Sequence, residues 1–201
     1  MFRWLILAVL LSALTVSGYH RARARVGGET VARRREGSHF LVLRGLMALG
    51  LFGGIVAHAV RPEWMAWATF GVPQTLRWLG LALGVLAVPA VHWVLSALGR
   101  NVTGTVLTKE RHELVTGGPY RWIRHPLYTT GLTLFVALGL MAGGWFVLLA
   151  TVSAFALLRV LVIPREEQAL LAKFGERYQA YMSRTGRLVP RVRSGSAPGA
   201  V

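Results

Sequence analysis

Two short polar stretches of this chain carry the residue types that could perform chemistry. Residues 117–128, Gly-Gly-Pro-Tyr-Arg-Trp-Ile-Arg-His-Pro-Leu-Tyr, place two arginines, one histidine and two tyrosines immediately before an apolar segment. After an apolar hairpin the chain reaches Pro164-Arg165-Glu166-Glu167, its only adjacent acidic pair. If the hairpin folds back on itself, both stretches meet at one membrane face. There a carboxylate could stabilise a cation, an arginine could bind an anion and the histidine could transfer a proton.

The pair His125-Pro126 predicts a helix start, because proline is favoured in the first helical turn and restrains the residue before it. Free backbone N–H groups at that start, with Arg124 nearby, would suit a carboxylate or a phosphate. The alternative is a simple helix start with Arg124 at the lipid headgroups. His125 is therefore a candidate catalytic residue.

The acidic pair has two interpretations. Glu166 and Glu167 could attract an organic cation, or they could be solvated charges in the first turn of a helix that begins at Pro164. A metal site is not predicted, because no close His/Glu spacing defines a coordination geometry.

Arg159 lies inside the last apolar segment, and α-helical spacing predicts that it shares a face with Ile163 and Glu166. An ionisable residue at membrane depth suggests a function, so Arg159 is the second candidate catalytic residue. Alternatively, it reaches the interface as a simple anchor.

Composition identifies an integral membrane protein, with 54% hydrophobic residues and a mean hydropathy of +0.49. The absence of cysteine excludes disulfides and a thiolate nucleophile. The net charge of +15 is concentrated in particular loops. This distribution indicates membrane topology and attraction to anionic lipid, and no nucleic-acid partner is expected.

The predicted fold is all-α, with about five transmembrane helices and a cytosolic amphipathic C-terminal helix that starts at Pro164. The positive-inside rule places the N-terminus outside and the C-terminus in the cytosol, in the cytoplasmic membrane of a prokaryote. We expect one domain over 1–190, with three N-terminal spans in 1–98 and the loop, hairpin and C-terminal helix in 99–190. A disordered tail is expected over 191–201. The apolar segments are Met1–Tyr19, Phe40–Val60, Thr75–Leu98, Leu127–Met141 and Trp145–Ile163.

Several motifs in residues 101–190 together resemble a known family. They are Leu-Val-Thr-Gly-Gly-Pro-Tyr, then Arg-His-Pro-Leu-Tyr, then Glu-Glu before Phe-Gly-Glu-Arg-Tyr, and a closing Tyr-Met-Ser-Arg-Thr-Gly-Arg-Leu-Val-Pro. In this order they resemble the membrane-embedded isoprenylcysteine carboxyl methyltransferases and their relatives, the phospholipid N-methyltransferases.

The resemblance implies a cytosol-facing site for S-adenosylmethionine and a lipophilic, prenylated or lipid substrate that enters from the membrane. It implies methyl transfer most like isoprenylcysteine carboxyl O-methylation, with phospholipid N-methylation or an NADPH-dependent membrane reductase of similar fold as alternatives. A small basic membrane protein that binds anionic lipid is the non-enzymatic alternative. The implied cofactor contacts are Thr105, His112, Glu113, Leu114, Val115, Tyr120, His125, Pro126, Leu127, Tyr128 and Glu166.

One position departs from the pattern of the eukaryotic prenylcysteine enzymes. The resemblance implies a substrate-binding arginine one helical turn before the cofactor-binding glutamate. This chain has Val162 at that position. Arg159 could substitute from the preceding turn. The methyl acceptor therefore stays open between a carboxylate, an amine and a thiol.

Overall fold

A computed structural model describes residues 1–26, 38–101 and 113–191 of the chain. In these ranges the protein consists of helices joined by short connections, with two isolated β-bridges. The α-helices are α1 (Phe2–Val26), α2 (Ser38–Ala48), α3 (Gly54–Val60), α4 (Gln74–Leu98), α5 (Pro126–Ala142), α6 (Trp145–Leu157), α7 (Ile163–Phe174) and α8 (Glu176–Arg184). Two π-helical segments, Leu49–Gly53 and Leu158–Val162, join α2 to α3 and α6 to α7.

Three helices in the described part of the chain are long and apolar enough to cross a membrane: Phe2–Ala24, Gln74–Leu98 and Trp145–Phe174. Two shorter apolar helices, Gly45–Val60 and Pro126–Ala142, lie where the sequence predicts further spans. The all-α membrane fold is thus confirmed, whereas five full crossings and the orientation of the bundle stay predictions.

The bundle is held together by close packing of small and branched residues. Helix α4 packs along α5, and α1 packs against α4, around a core that includes Ile6, Leu138 and Met141. Gly80 of α4 sits directly against α5, where an added Cβ atom would lie 2.9 Å from the carbonyl oxygen of Ala137. Small residues of this kind allow two helix backbones to approach in a membrane, where the hydrophobic effect does not drive helices together.

The predicted hairpin is confirmed. Helix α5 ends at Ala142, and Gly143 takes a left-handed conformation with φ of 67° before α6 begins at Trp145. The linker after α3 closes over this turn, because the Phe70 N–H donates to the Gly143 carbonyl. The hairpin returns the chain to the end of the bundle where α5 started.

The predicted helix start at Pro164 corresponds to the start of α7 at Ile163, but α7 is not separate from the last span, because residues 145–174 form one continuous helix. Proline lacks an N–H, so in a regular α-helix it would leave the carbonyl of residue 160 unpaired. The π-helical segment Leu158–Val162 lies just before it, and the Ile163 N–H donates to the Leu158 carbonyl five residues back. This wider turn carries the membrane helix past Pro164 and out to Phe174.

The expectation of one amphipathic C-terminal helix also needs correction. Gly175, with φ of 52°, ends α7, and a separate helix α8 follows. A positive φ of this size is accessible to glycine at little cost, so the chain can change direction here. The turn lets α8 fold back against residues 120–124 instead of continuing along the axis of α7.

Replacing Gly80 with alanine tests the contact between α4 and α5. We expect Gly80→Ala to destabilise the protein by about 1–3 kcal/mol, because the new methyl group must displace α5 backbone. The measurement is the melting temperature in detergent. Gly131→Ala is the matched control, since a Cβ atom there meets nothing within 4 Å. Equal melting temperatures for the two variants would contradict the close approach.

Candidate active site

A buried ion cluster around Glu167 lies at the end of the bundle where α5 begins. The Glu167 side chain is only 5% exposed, and its Oε1 accepts a hydrogen bond of 2.9 Å from Nε of Arg124. Its Oε2 accepts a second hydrogen bond from Arg187. Two arginines from different parts of the chain therefore neutralise one carboxylate on α7.

His125 lies between the two carboxylates of α7. Its Nδ1 is 3.4 Å from Oε2 of Glu166, and its Nε2 is 3.4 Å from Oε1 of Glu167. The buried Nε2 nevertheless lacks a hydrogen-bond partner of good geometry within the described residues. Burial on its own would lower the pKa of His125, but hydrogen bonding and charge from both glutamates outweigh it and raise the pKa above 6.5. His125 thus holds its proton to a higher pH than a free imidazole.

Glu166 differs from its neighbour because part of its carboxylate is open to solvent. The Glu166 side chain is 22% exposed, and its Oε1 accepts a hydrogen bond of 2.6 Å from the Tyr128 hydroxyl. The Tyr128 ring also stacks on the His125 ring, with centroids 5.7 Å apart and an interplanar angle of 20°. Consecutive helical residues point in different directions, so Glu167 is turned into the protein while Glu166 remains accessible.

Helix α8 closes the site from one side. The Tyr181 hydroxyl donates to the Tyr120 carbonyl at 2.6 Å, and Nη1 of Arg124 donates to the carbonyls of Met182 and Thr185 at the end of α8. Burial raises the pKa of Tyr181 to about 12, against the opposing effect of Arg124 and Arg184, so its hydroxyl stays protonated as a donor. Arg124 consequently caps α8 and neutralises Glu167 at the same time.

The segment that follows α8 pairs with the loop before α5. Gly186 forms an isolated parallel bridge with Ile123, and the N–H groups of Arg124 and His125 donate to the carbonyls of Gly186 and Arg187. The Thr129 hydroxyl adds a hydrogen bond of 2.7 Å to the Leu188 carbonyl. This pairing places Arg187 where it reaches Glu167.

The structure brings together part of the predicted cofactor set. Tyr120, His125, Tyr128 and Glu166 converge with Pro126, which is buried at the first position of α5. Glu113 has an exposed side chain, and its backbone N–H and carbonyl both bond to the Asn101 side chain. Leu114 and Val115 follow it as half-buried residues. Thr105 and His112 lie outside the described residues.

Two predicted residues have surroundings that differ from the cluster. Leu127 packs against buried residues of α1 and α4, Ala24, Val91 and Leu95. Arg159 is exposed on the π-helical segment, whereas Val162 and Ile163 are buried. The α-helical spacing that grouped Arg159 with Glu166 does not hold, because a π-helical turn contains more residues than an α-helical turn. The structure therefore does not place Arg159 in the ion cluster.

Sequence reasoning missed the structural role of Glu167 and Arg187. Glu167 was open to interpretation as a solvated charge, yet it is one of the most buried polar residues described, at 4% exposure. Arg187 stands in the closing Arg-Thr-Gly-Arg stretch, which carries two arginines close to a glycine. That local pattern was the available signal, but nothing in it indicated which carboxylate the second arginine would reach.

The fold and site define a helical membrane protein with a polar site at one end of its bundle. The chain belongs to the phospholipid methyltransferase family, whose sequence model matches residues 75–177. This finding and the structural similarity below confirm the resemblance drawn from the motifs.

Three curated proteins are similar in sequence. The cobalt-zinc-cadmium resistance protein CzcN of Cupriavidus metallidurans is 33% identical over 64% of this chain and 62% of its own length. YpbQ of Bacillus subtilis is 25% identical over 62% of this chain and 70% of its own length. The nickel-cobalt-cadmium resistance protein NccN of Alcaligenes xylosoxydans xylosoxydans is 33% identical over 57% of this chain and 53% of its own length.

One solved structure supports the fold. It is the eukaryotic intramembrane Ras methyltransferase ICMT, the isoprenylcysteine carboxyl methyltransferase, with a TM-score of 0.56. The alignment covers 92% of this chain and 67% of that chain, at 19% sequence identity. The similarity establishes the same kind of helical membrane fold.

Removing the charge of Glu167 tests the ion cluster. We expect Glu167→Gln to destabilise the protein by about 3–5 kcal/mol, because the buried Arg124 loses its counter-charge. Thermal unfolding in detergent provides the measurement, and Glu176→Gln, an exposed glutamate on α8, is the control. If both variants melt like the wild type, Glu167 does not hold the site together.

The raised pKa of His125 predicts a pH dependence of stability. The stabilisation from its proton is fully present below the unfolded-state pKa, near 6.5, and is lost as the pH rises through the higher folded-state pKa. The melting temperature of the wild type should therefore fall over the range above pH 6.5. His125→Asn should flatten that part of the profile. An unchanged slope in the variant would assign the effect to other groups.

Proposed function

We propose that this protein transfers a methyl group from S-adenosylmethionine to a lipophilic acceptor resident in the membrane. The proposal rests on family membership and on one geometric observation. A partly exposed carboxylate, Glu166, is held by the Tyr128 hydroxyl next to the His125 imidazole, at the end of an apolar bundle. A soluble cofactor can reach this end from water, while the acceptor can reach it from lipid.

The side chains present fit this cofactor. S-adenosylmethionine supplies an electrophilic methyl group on a positively charged sulfur. A carboxylate with accessible surface and the face of a tyrosine both stabilise such a cation, which matches Glu166 and Tyr128. NADPH would place phosphates here, and the accessible Glu166 carboxylate would oppose them.

We assign the remaining contacts as part of the same proposal. They are Tyr120 and Pro126 beside the cluster, Leu127 where α5 meets α1 and α4, and the segment that contains Glu113, Leu114 and Val115, which Asn101 holds at Glu113. Thr105 and His112 complete the proposed set. The role of these residues is to hold the methyl group and the acceptor in line, which can contribute several orders of magnitude in rate.

His125 bears on the choice of acceptor. An amine or a thiol must lose a proton to become a nucleophile, whereas a carboxylate attacks without a base. The raised pKa of His125 makes its imidazole a stronger base than a free histidine, so it is the group that could take the proton of an amine or a thiol. A carboxylate acceptor, as in isoprenylcysteine carboxyl methylation, would need no such step and is the acceptor proposed first.

Arg159 is the proposed partner of the acceptor. It is exposed on the membrane helix that carries Glu166, where a lipid-borne carboxylate could meet it. Val162 is buried and uncharged, and it stands at the position where the eukaryotic prenylcysteine enzymes that this chain resembles carry a substrate-binding arginine. Among the described residues no group of three or more His, Asp or Glu could hold a metal ion.

A binding experiment with purified protein tests the cofactor. We expect calorimetric binding of S-adenosylmethionine and S-adenosylhomocysteine, and none of NADPH. Glu166→Gln should weaken S-adenosylmethionine binding by about 1–3 kcal/mol, because the cation loses a charged partner in a partly dry site. Glu176→Gln is the control. Binding of NADPH alone would replace the proposal with a reductase.

The acceptor class can be read from the product of a labelled-methyl assay. A methyl ester releases labelled methanol in mild alkali, whereas a methylated amine retains its label. Prenylated carboxylates and phosphatidylethanolamine are the two substrates to compare, with Arg159→Ala as the variant. Base-stable label would contradict the carboxylate, and unchanged kinetics in the variant would remove Arg159 from the acceptor site.

A further inference from the structure

A second polar site lies at the opposite end of the bundle. A cavity of about 440 Å³ is bordered by the start of α1, the end of α3, the linker before α4 and the turn after α5. Helix α5 has 17 residues and connects the two ends, so the cavity is roughly 25 Å from His125. It is therefore separate from the cofactor site.

The polar residues that line this cavity are basic or neutral. They include Arg3, His58, Thr69 and Arg77, and no acidic residue is part of the lining within the described chain. Arg77 and His58 come from different helices and border the same cavity. A cavity that collects positive charge without a carboxylate is suited to an anion.

Arg77 is held in place in a way that leaves binding groups available. Its Nε donates to the Met141 carbonyl at 2.9 Å, and its guanidinium carbon lies 4.2 Å from the centroid of the Phe2 ring. No hydrogen bond from its terminal Nη groups occurs within the described residues. An arginine fixed in this way needs little further ordering to bind a phosphate or a carboxylate oxygen.

His58 is the second unusual feature. It is only 8% exposed, it borders the cavity, and within the described residues its ring has no hydrogen-bond partner. The ring nitrogens of His58 keep some accessible surface and the ring borders the cavity, so a ligand that accepts a hydrogen bond could bind there. An arginine that simply extends to the membrane surface, such as the exposed Arg61 stacked on Trp64, does not show this arrangement.

The depth of the cavity indicates which anions it meets. Exposed tryptophans surround this end of the bundle, and such residues mark the headgroup region of a bilayer. They are Trp4, Trp64, Trp67, Trp78 and Trp145. The apolar side chains of Phe70 and Val72 also border the cavity, so a ligand with both a charged and an apolar part could be accommodated.

We propose that this cavity binds the phosphate group of an anionic lipid, with Arg77 and His58 as the main contacts and Arg3 as an additional positive charge. The phosphate would accept hydrogen bonds from the Arg77 guanidinium and the His58 ring. A phosphodiester headgroup is the anion present at this depth in a membrane, and a free phosphate shares the same chemistry. The site does not depend on methyl transfer.

Lipid retention by the full-length protein tests this proposal. The protein, purified in neutral detergent, is titrated with phosphatidylglycerol or with zwitterionic phosphatidylcholine, and bound lipid is counted by native mass spectrometry. Wild type should retain phosphatidylglycerol preferentially. Arg77→Gln should weaken that retention about tenfold, the effect of one charged hydrogen bond. Arg61→Gln, an arginine at the same end outside the cavity lining, should leave it unchanged.

Further variants and a competitor complete the test. Arg3→Gln and His58→Gln should also weaken retention, and melting temperatures without lipid show whether each variant is folded. Because Arg3 is exposed, its variant remains informative if Arg77→Gln unfolds. Displacement by inorganic phosphate would assign the site to the phosphate group alone, and no displacement would assign it to the intact lipid. Equal losses in the Arg61 and Arg3 variants, or no preference for the anionic lipid, would overturn the proposal.

Discussion

The ion cluster centred on Glu167 is the interaction on which the functional end of this protein depends. A buried carboxylate is tolerated only when charged partners surround it, and those partners come from two distant parts of the chain. Arg124 precedes α5 and Arg187 follows α8, so their contacts with Glu167 tie the loop, α7 and the C-terminal segment together. The same interaction holds His125 next to Glu166. The buried ion cluster thereby positions the accessible carboxylate of Glu166.

Neighbouring glutamates have different roles because they lie on a helix. Glu167 turns into the protein and is neutralised, while Glu166 keeps accessible surface and bonds to Tyr128. The π-helical segment Leu158–Val162 contributes to this arrangement, because it carries the membrane helix past Pro164 without interruption. Both glutamates are thus attached rigidly to a membrane helix. A rigid attachment suits a site whose contribution is positioning.

The residues matched by the family model and the residues that form the candidate active site overlap only in part. The matched residues, 75–177, include the loop, the hairpin and both glutamates. The groups that close the site from the other side, Tyr181 and Arg187, lie beyond that region. Toward the N-terminus, α1 and α3 lie outside it too, and they contribute Arg3 and His58 to the cavity at the opposite end. Residues outside the family match therefore complete the ion cluster at one end of the bundle and form most of the cavity at the other end.

The sequence alone determined the helical membrane class, the hairpin and the proximity of the 117–128 stretch to the glutamates, because apolar run length and turn residues are local signals. The family motifs added Glu166, His125 and Tyr128. The tertiary structure decided that Glu167 is buried, that Arg187 returns to it and that Arg159 lies apart. Those outcomes depend on which charges meet after the chain folds back and on a π-helical turn that alters side-chain direction. Neither is encoded in spacing along one segment.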